Sequence, residues 1–216
     1  TLQDIVLTHG HPDHIGGVQS ILDRIGPLRV SKLPDPTFDA PYRVPITELS
    51  ADCVIDTEGA TLRGFHTPGH APDHLCFLLE EESGLFTGDN VLGVGTTIIP
   101  AQSGNLGDYL RSLERLLALA PARIFPAHGP QVEDACAKIR EYIAHRLQRE
   151  AQILAALEEG ADRVVNIVKI IYAAYPESLH AAAGQSVTSH LRKLEAEGRV
   201  SASPGAAPGD AHWRLH

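Results

Sequence analysis

The stretch Thr8–His14, THGHPDH, decides how this chain is read. It places His9, His11, Asp13 and His14 directly after the apolar run Ile5-Val6-Leu7. In an extended segment, side chains two apart point the same way, so His9 and His11 present two imidazoles to one side. Asp13 and His14 follow at once and can serve a second, adjacent position. Leaving so many polar groups unpaired near a core is unfavourable, and a cation is the partner that satisfies them. Imidazole and carboxylate donors without thiolate suit Zn²⁺, with Fe or Mn as alternatives.

Working outward, the same chemistry recurs wherever an apolar strand stops. HTPGH places His70 after a strand and a Pro-Gly turn, FTGD ends on Asp89, and PAHG places His128 at a further strand end. A lone histidine at such a junction is more often a surface or core residue than a ligand. Three such junctions beside the THGHPDH cluster point to one shared site. Two metals ~3.5–4 Å apart could there clamp a hydroxide for attack on a carbonyl or phosphorus centre.

Strands and helices alternate through the first part of the chain, giving an α/β class. DIVLTH reads as a buried strand and 15–26 as a helix carrying Ile15, Val18, Ile21, Leu22 and Ile25. Strands are expected at 29–33, 61–66, 74–79 and 83–89, with an irregular loop over 34–48 and a Gly-rich loop over 93–104. The segment 106–119 is an amphipathic helix with Leu106, Leu110, Leu113 and Leu117 on one stripe. A strand then ends at His128, and a long helix over about 132–159 turns Ile139, Ile143, Leu147, Leu154 and Leu157 inward. Gly160 divides the chain into two expected domains, 1–159 and 160–216. The second reads helix (164–175), helix (186–198), strand, Pro/Gly-rich loop, strand, the order of a small winged-helix module.

Composition narrows the function classes. The 216 residues are 43% hydrophobic and 21% charged, an ordinary globular balance. No apolar run is long enough to span a membrane, and no signal peptide is visible. Cys53, Cys76 and Cys136 lie far apart without metal or disulfide spacing, so a cytoplasmic protein is expected. The net charge of −9 weighs against a dedicated nucleic-acid binder, because phosphates require clustered cations. The imbalance is confined to residues 1–159, which hold 12 basic and 22 acidic residues. The chain contains no methionine and opens at Thr1 just ahead of a strand, so a missing N-terminal segment is expected.

The ordered set THGHPDH, HTPGH, TGD, PAHG resembles the metallo-β-lactamase superfamily, in particular its glyoxalase II-like hydrolases. The resemblance implies an αββα sandwich with the metals at one edge of two sheets. It implies that His9, His11 and His70 hold a first metal, that Asp13, His14 and His128 hold a second, and that Asp89 bridges them. Family members carry strands ahead of the first histidine motif, so the sandwich is expected to be N-terminally incomplete here. The segments GDNVLGVGTTI, PAHGPQVEDACAKIREYIAHRLQREAQIL and VVNIVKIIYAAYPESLHAAAGQSVTSHLRKLEAEGRV are similar to the lactamase-β-like protein 2 group, which ends in a winged helix. That group includes a single-strand endoribonuclease and thioesterases that release polyketides from carrier proteins. The loop IIPAQSGNLGDY departs from the acidic and aromatic pattern usual there, which bears on substrate preference.

The expected function is a binuclear metal hydrolase with metal-bound hydroxide as nucleophile, two Zn²⁺ as cofactors, and Asp13 and Asp89 as catalytic carboxylates. Its substrate is a phosphodiester in single-stranded RNA or, as the alternative, a small or carrier-bound thioester. A non-enzymatic winged-helix regulator is a third reading. Neither duplex DNA nor a membrane is an expected partner: Arg192 and Lys193 are followed by Glu195 and Glu197, which makes a mixed, solvated face. That helix is expected to pack on the hydrolase domain. His66 is expected to support packing, and Asp73 and His74 to make structural hydrogen bonds, with orienting a ligand or protonating a leaving group as the alternative. The loop with Thr96 and Thr97 is expected to be a plain turn, with lining the cleft as the alternative. His145, His180, His190, His212 and His216 are expected to be solvated. Neither GxGxxG nor GxSxG occurs, which removes the nucleotide-cofactor and serine-hydrolase readings.

Overall fold

The computed structural model describes residues 2–203 and 210–216. A first sheet is parallel, in the order β1 (Asp4–Val6), β2 (Arg29–Lys32) and β3 (Thr47–Glu48). The crossover from β1 to β2 contains α1 (Pro12–Ile15) and α2 (Val18–Ile25), and α3 (Pro36–Asp39) precedes β3. The single helix expected over 15–26 is therefore two. The backbone turns at Gly16-Gly17, and the short α1 carries Asp13 and His14. Ile15 and Val18 are buried, whereas Ile21 and Ile25 are exposed. The expected loop over 34–48 contains α3, held by the Asp35 side chain accepting from the Thr37 and Phe38 N–H groups, and reaches β3.

A second sheet runs β4 (Asp52–Thr57), β5 (Ala60–His66), β6 (Leu75–Leu79), β7 (Gly84–Gly88) and β8 (Arg123–Pro126). It is antiparallel until β7 and β8, which pair in parallel through the crossover helix α4 (Leu106–Ala118). Strand β4 escapes the pattern reading because five of its six residues are not fully buried, so it lacks an apolar run. Ile55, Leu75 and Phe77 meet Val6, Leu33 and Leu49 between the sheets. On the outer side of the second sheet, Leu85 and Ile124 pack on Tyr109, Leu113 and Leu116 of α4. The 24-residue α5 (Ala135–Glu158) joins that layer through Ile139 and Tyr142. Leu7, Val18 and Val30 pack α2 on the first sheet. The layers are helix, sheet, sheet, helix: the expected αββα sandwich.

The end of α5 enters a second core. Ile153, Ala156 and Leu157 pack with α6 (Val164–Ile171), α7 (His180–Ala196), β9 (Val200–Ser203) and β10 (His212–Leu215). Two helices followed by the antiparallel β9–β10 pair form the winged-helix unit. Helix α7 starts six residues earlier than its sequence pattern indicates. The Pro/Gly-rich loop expected between β9 and β10 lies outside the described residues. Helix α7 packs on the rest of the chain as expected: Ser189 Oγ donates to the Ile99 carbonyl at 2.8 Å and Lys193 bonds Glu150 at 2.7 Å.

The stripe facing inward along α5 is Ala135, Ile139, Tyr142, Arg146, Arg149, Glu150, Ile153, Ala156 and Leu157. Leu147, expected inside, is 51% exposed because it falls one position off this stripe. His190, expected in solvent, is 1% exposed because it lies on the Ala183–Val187–Leu191–Leu194 face of α7.

Candidate metal centre

All seven residues of the sequence motifs meet at one rim of the sandwich. The ligand atoms of His9, His11 and His70 lie within 4.8 Å of one another, as do those of Asp13, His14, Asp89 and His128. His9 and His11 follow β1, Asp13 and His14 ride on α1, His70 follows β5, Asp89 follows β7 and His128 follows β8.

Two glycines let the chain bring these side chains in. Gly69, at φ +132°, leads into His70, and a Cβ there would lie 2.4 Å from Tyr109 Cα of α4. Gly88, at φ +50°, leads into Asp89, and a Cβ there would lie 2.6 Å from His74 Nε2. A residue with a side chain is strained in this left-handed region, and here it would also collide with a fixed neighbour.

Nitrogens crowd the first group. His9 Nε2 and His70 Nε2 each lie 3.0 Å from His11 Nδ1. Asp89 reaches both groups: Oδ2 is 3.5 Å from His70 Nε2, while Oδ1 is 3.4 Å from both His14 Nε2 and His128 Nε2. Asp13 Oδ2 lies 3.2 Å from His128 Nε2. The side chains of Asp13 and His128 are 57% and 50% exposed, so the rim opens to solvent on their side.

The electrostatics favour a cation. Burial, then repulsion from His74, His14, His70 and His11, pushes His9 far below the usual histidine range. Burial and then repulsion from His70 lower His11, and burial foremost, with a smaller push from His14, lowers His70. Burial alone would raise the Asp89 carboxyl, but the neighbouring His14, and after it His70 and His128, bring it below its ordinary value. His9, His11 and His70 are thus held neutral with lone pairs free, the form that ligates metal. His14 Nε2 and Asp89 Oδ1 are buried without a hydrogen-bond partner, as expected of atoms that await an ion. This donor set fits a divalent metal, and it contains no thiolate.

Behind the ligands lies a second layer. His70 Nδ1 faces the Ile98 carbonyl at 2.8 Å and Thr97 Oγ1 at 3.3 Å, which fixes its ring. His74 is fully buried; its Nε2 accepts the Asp89 N–H at 3.1 Å and its Nδ1 faces Thr67 Oγ1. Asp73 accepts the Gly10 N–H at 2.8 Å, pinning the backbone between His9 and His11. Both residues orient the site from behind. Neither is exposed to a substrate, so they take the structural role expected of them, and protonation of a leaving group, the alternative, is not supported. His66 bonds the Pro72 carbonyl at 2.7 Å, a packing role as expected. Sequence reading missed Lys32, which is fully buried and bonded to Asp73, Asp39 and the Leu33 carbonyl. Its signal was a lysine inside a short strand of otherwise buried pattern, RVSK.

An αββα sandwich with two His/Asp groups at one rim defines a metal-dependent hydrolase class. Residues 1–128 match the metallo-beta-lactamase superfamily, and the chain belongs to it. Residues 164–213 match the beta-lactamase associated winged helix domain. The chain is 38% identical over 217 residues to a beta-lactamase-like protein 2 homolog of Drosophila melanogaster, covering 95% of this chain and 73% of that protein. It is 37% identical to the lactamase-like protein aptB of Emericella nidulans, covering 94% and 66%. A beta-lactamase domain protein from Burkholderia ambifaria shares the fold over 100% of this chain and 74% of its own (TM-score 0.84, 20% identity). A di-iron-bound form of TTHA1623 matches 63% of this chain and 74% of its own (TM-score 0.51, 27% identity). No helix among the described residues is long and apolar enough to cross a membrane, and Cys53, Cys76 and Cys136 are free thiols.

Proposed function

We propose that this chain is a two-metal hydrolase that cleaves phosphodiester bonds in single-stranded RNA. The observation that carries the two-metal reading is Asp89, whose two oxygens reach one group each. His9, His11 and His70 would hold one ion, Asp13, His14 and His128 the other, with Asp89 shared. The ions would be Zn²⁺, with Fe or Mn compatible with the same donors. When bound, they supply the positive charge that lowers the pKa of a water and polarises the scissile group.

The chain's own residues supply the geometry. Asp13 and Asp89 orient the water and take its proton as the water oxygen bonds to phosphorus. The P–O bond to the leaving oxygen then breaks, and that oxygen receives a proton. The exposed side chains of Asp13 and His128 leave the rim accessible to a polymer. The choice of RNA follows the whole-chain resemblance to the lactamase-β-like protein 2 group. The alternative substrate is an acyl thioester, favoured by the net charge of −9. A cytoplasmic setting suits either.

The test counts metals per chain by elemental analysis and assays a single-stranded oligoribonucleotide and an acyl thioester side by side. About two metals, with RNA cleavage lost in Asp89→Ala, supports the proposal. Thioester hydrolysis without RNA cleavage selects the alternative. A folded, metal-free protein with neither activity overturns the hydrolase reading.

A further inference from the structure

A cleft of about 370 Å³ lies between the 96–99 segment, α5 and the start of α7. Arg146 and Arg149 of α5 line it, with His145, Tyr172 and Tyr175. The two arginines are 4% and 9% exposed. Among the described residues neither has a carboxylate partner: Arg146 donates to the Thr97 carbonyl, and Arg149 donates to Gln152 Oε1 at 2.8 Å. The Nε atoms of both are buried with no acceptor, and so are His145 Nδ1 and both ring nitrogens of His190.

A buried cation without a counter-charge is strongly unfavourable, so the two guanidinium groups, each with an unused Nε–H, point to an anion. The guanidinium groups are already oriented. Arg149 lies 4.3 Å from the Tyr172 ring and Arg146 5.4 Å from the Tyr109 ring. Planar guanidinium forks held in this way suit a phosphate. A comparable cleft of about 330 Å³, bordered by α4 and the far side of α7, shows the opposite state. There Arg111 is paired with Asp108, and Lys193 with Glu150 and Glu197, while Arg192, without a carboxylate partner among the described residues, is exposed to solvent rather than buried.

The cleft adjoins the metal centre through Thr97 and Ile98, which line it and also contact His70. Thr97 offers its carbonyl to Arg146 and its hydroxyl to His70. Beyond Arg149 a further recess of about 280 Å³ continues past Gln148 and Gln152. Tyr175, exposed and common to both recesses, offers an aromatic surface beside the arginines. Phosphate donors next to an open aromatic ring are the elements that hold a single strand, with backbone on the cations and base on the ring. We propose that this cleft binds a phosphate of single-stranded RNA away from the scissile bond, with Arg146 and Arg149 on the phosphate and Tyr175 under a base. This rests on the RNA reading above and names the subsite that the winged-helix unit completes. A carrier-borne phosphate ester that delivers a thioester is the rival occupant.

The experiment uses the metal-loaded protein and a fluorescently labelled oligoribonucleotide. KM and kcat are measured for wild type, Arg149→Gln, Arg149→Lys and Tyr175→Ala, with a small chromogenic phosphodiester too short to reach the cleft as reference. Arg149→Gln is expected to raise the oligonucleotide KM at least ~10-fold more than that of the small diester, and Tyr175→Ala by ~5-fold or more. Arg149→Gln should also lower the slope of log KM against log salt by about 0.7, the share of one phosphate contact. Arg149→Lys should recover part of the loss. Tyr175 is exposed, so its variant decides the matter even if Arg149→Gln fails to fold. RNA cleavage with KM unmoved in Arg149→Gln and Tyr175→Ala overturns the cleft and leaves the hydrolase reading standing. A wild type that cleaves the thioester and no RNA overturns both.

Discussion

The metal rim and the arginine cleft meet at Thr97, and both bury polar atoms that lack a partner. They differ in what those atoms carry. The rim presents bare nitrogens and carboxylate oxygens, lone pairs that require a cation. The cleft presents N–H groups of two guanidinium ions, protons that require an anion. A cation site and an anion site separated by one segment of backbone suit a substrate whose charge repeats along a chain. The difference also shows that an unsatisfied buried atom has a sign, and that the sign indicates the ligand.

The sharpest way to break the comparison is to remove the residue that joins the two halves of the rim. Asp89→Ala is expected to lose ~10²–10⁴-fold in kcat, the range for loss of a carboxylate that positions and deprotonates the nucleophile, with metal content falling below that of wild type. Elemental analysis beside steady-state kinetics reads both. Retained activity at full metal content would show that the two groups work without a shared carboxylate. Next in size is the support behind the rim. Asp73→Ala leaves Lys32 buried with Asp39 as its remaining carboxylate and frees the Gly10 N–H. Breaking a buried pair in this way costs roughly 3–5 kcal/mol, and chemical denaturation of the metal-free protein measures it.

The two regions were not equally legible in the sequence. The rim was, because its ligands come in short motifs placed where strands end, and a period of two sets their direction before any packing is known. The alternation of strands and helices indicated only an α/β class; the αββα layers were an expectation carried by the family resemblance of those motifs. The cleft was not. Arg146 and Arg149 lie on a helix whose inward stripe runs Tyr142, Arg146, Arg149, Ile153. Reading that helix by hydrophobicity alone selects Leu147, which the structure leaves in solvent. Spacing from Ile139 and Tyr142 would have found the arginines, but only by accepting buried cations, and what buries them is a second core formed far along the chain. Strand β4 and the early start of α7 escaped for a related reason: their residues are half-covered, so neither carries a clean period.

A smaller effect tests how the rim is held. His74 fixes Asp89 through the backbone N–H rather than through the metal-facing carboxylate. His74→Leu removes the acceptor and is expected to weaken metal binding ~10–100-fold, the usual effect of losing an outer-shell partner. His74→Gln, which retains an acceptor, should recover much of this. Titration of the metal-free protein with Zn²⁺ separates such a positioning role from general destabilisation, which would affect both variants alike.

The smallest effect belongs to the cleft side and depends on pH. His190 is buried among Arg146, Lys193, Arg149 and His145; burial foremost, then those charges, pushes its pKa down to about 3. It is therefore neutral in the fold at any pH above that value, while the unfolded chain takes up the proton near 6.5. Because the unfolded state binds more protons in this interval, stability is complete above pH 6.5 and declines as the pH falls toward 3. The contribution lost by pH 5 is on the order of 1–2 kcal/mol. His190→Leu removes it, so the difference in unfolding free energy between variant and wild type should shift in the variant's favour between pH 7 and pH 5. Bound phosphate opposes the decline, since an anion on Arg146 and Arg149 offsets two of the charges that disfavour protonated His190. A pH dependence that is the same in both proteins, with and without phosphate, would mean that His190 is not held neutral by its surroundings. The comparison between a rim of lone pairs and a cleft of unused protons would then lose its second half.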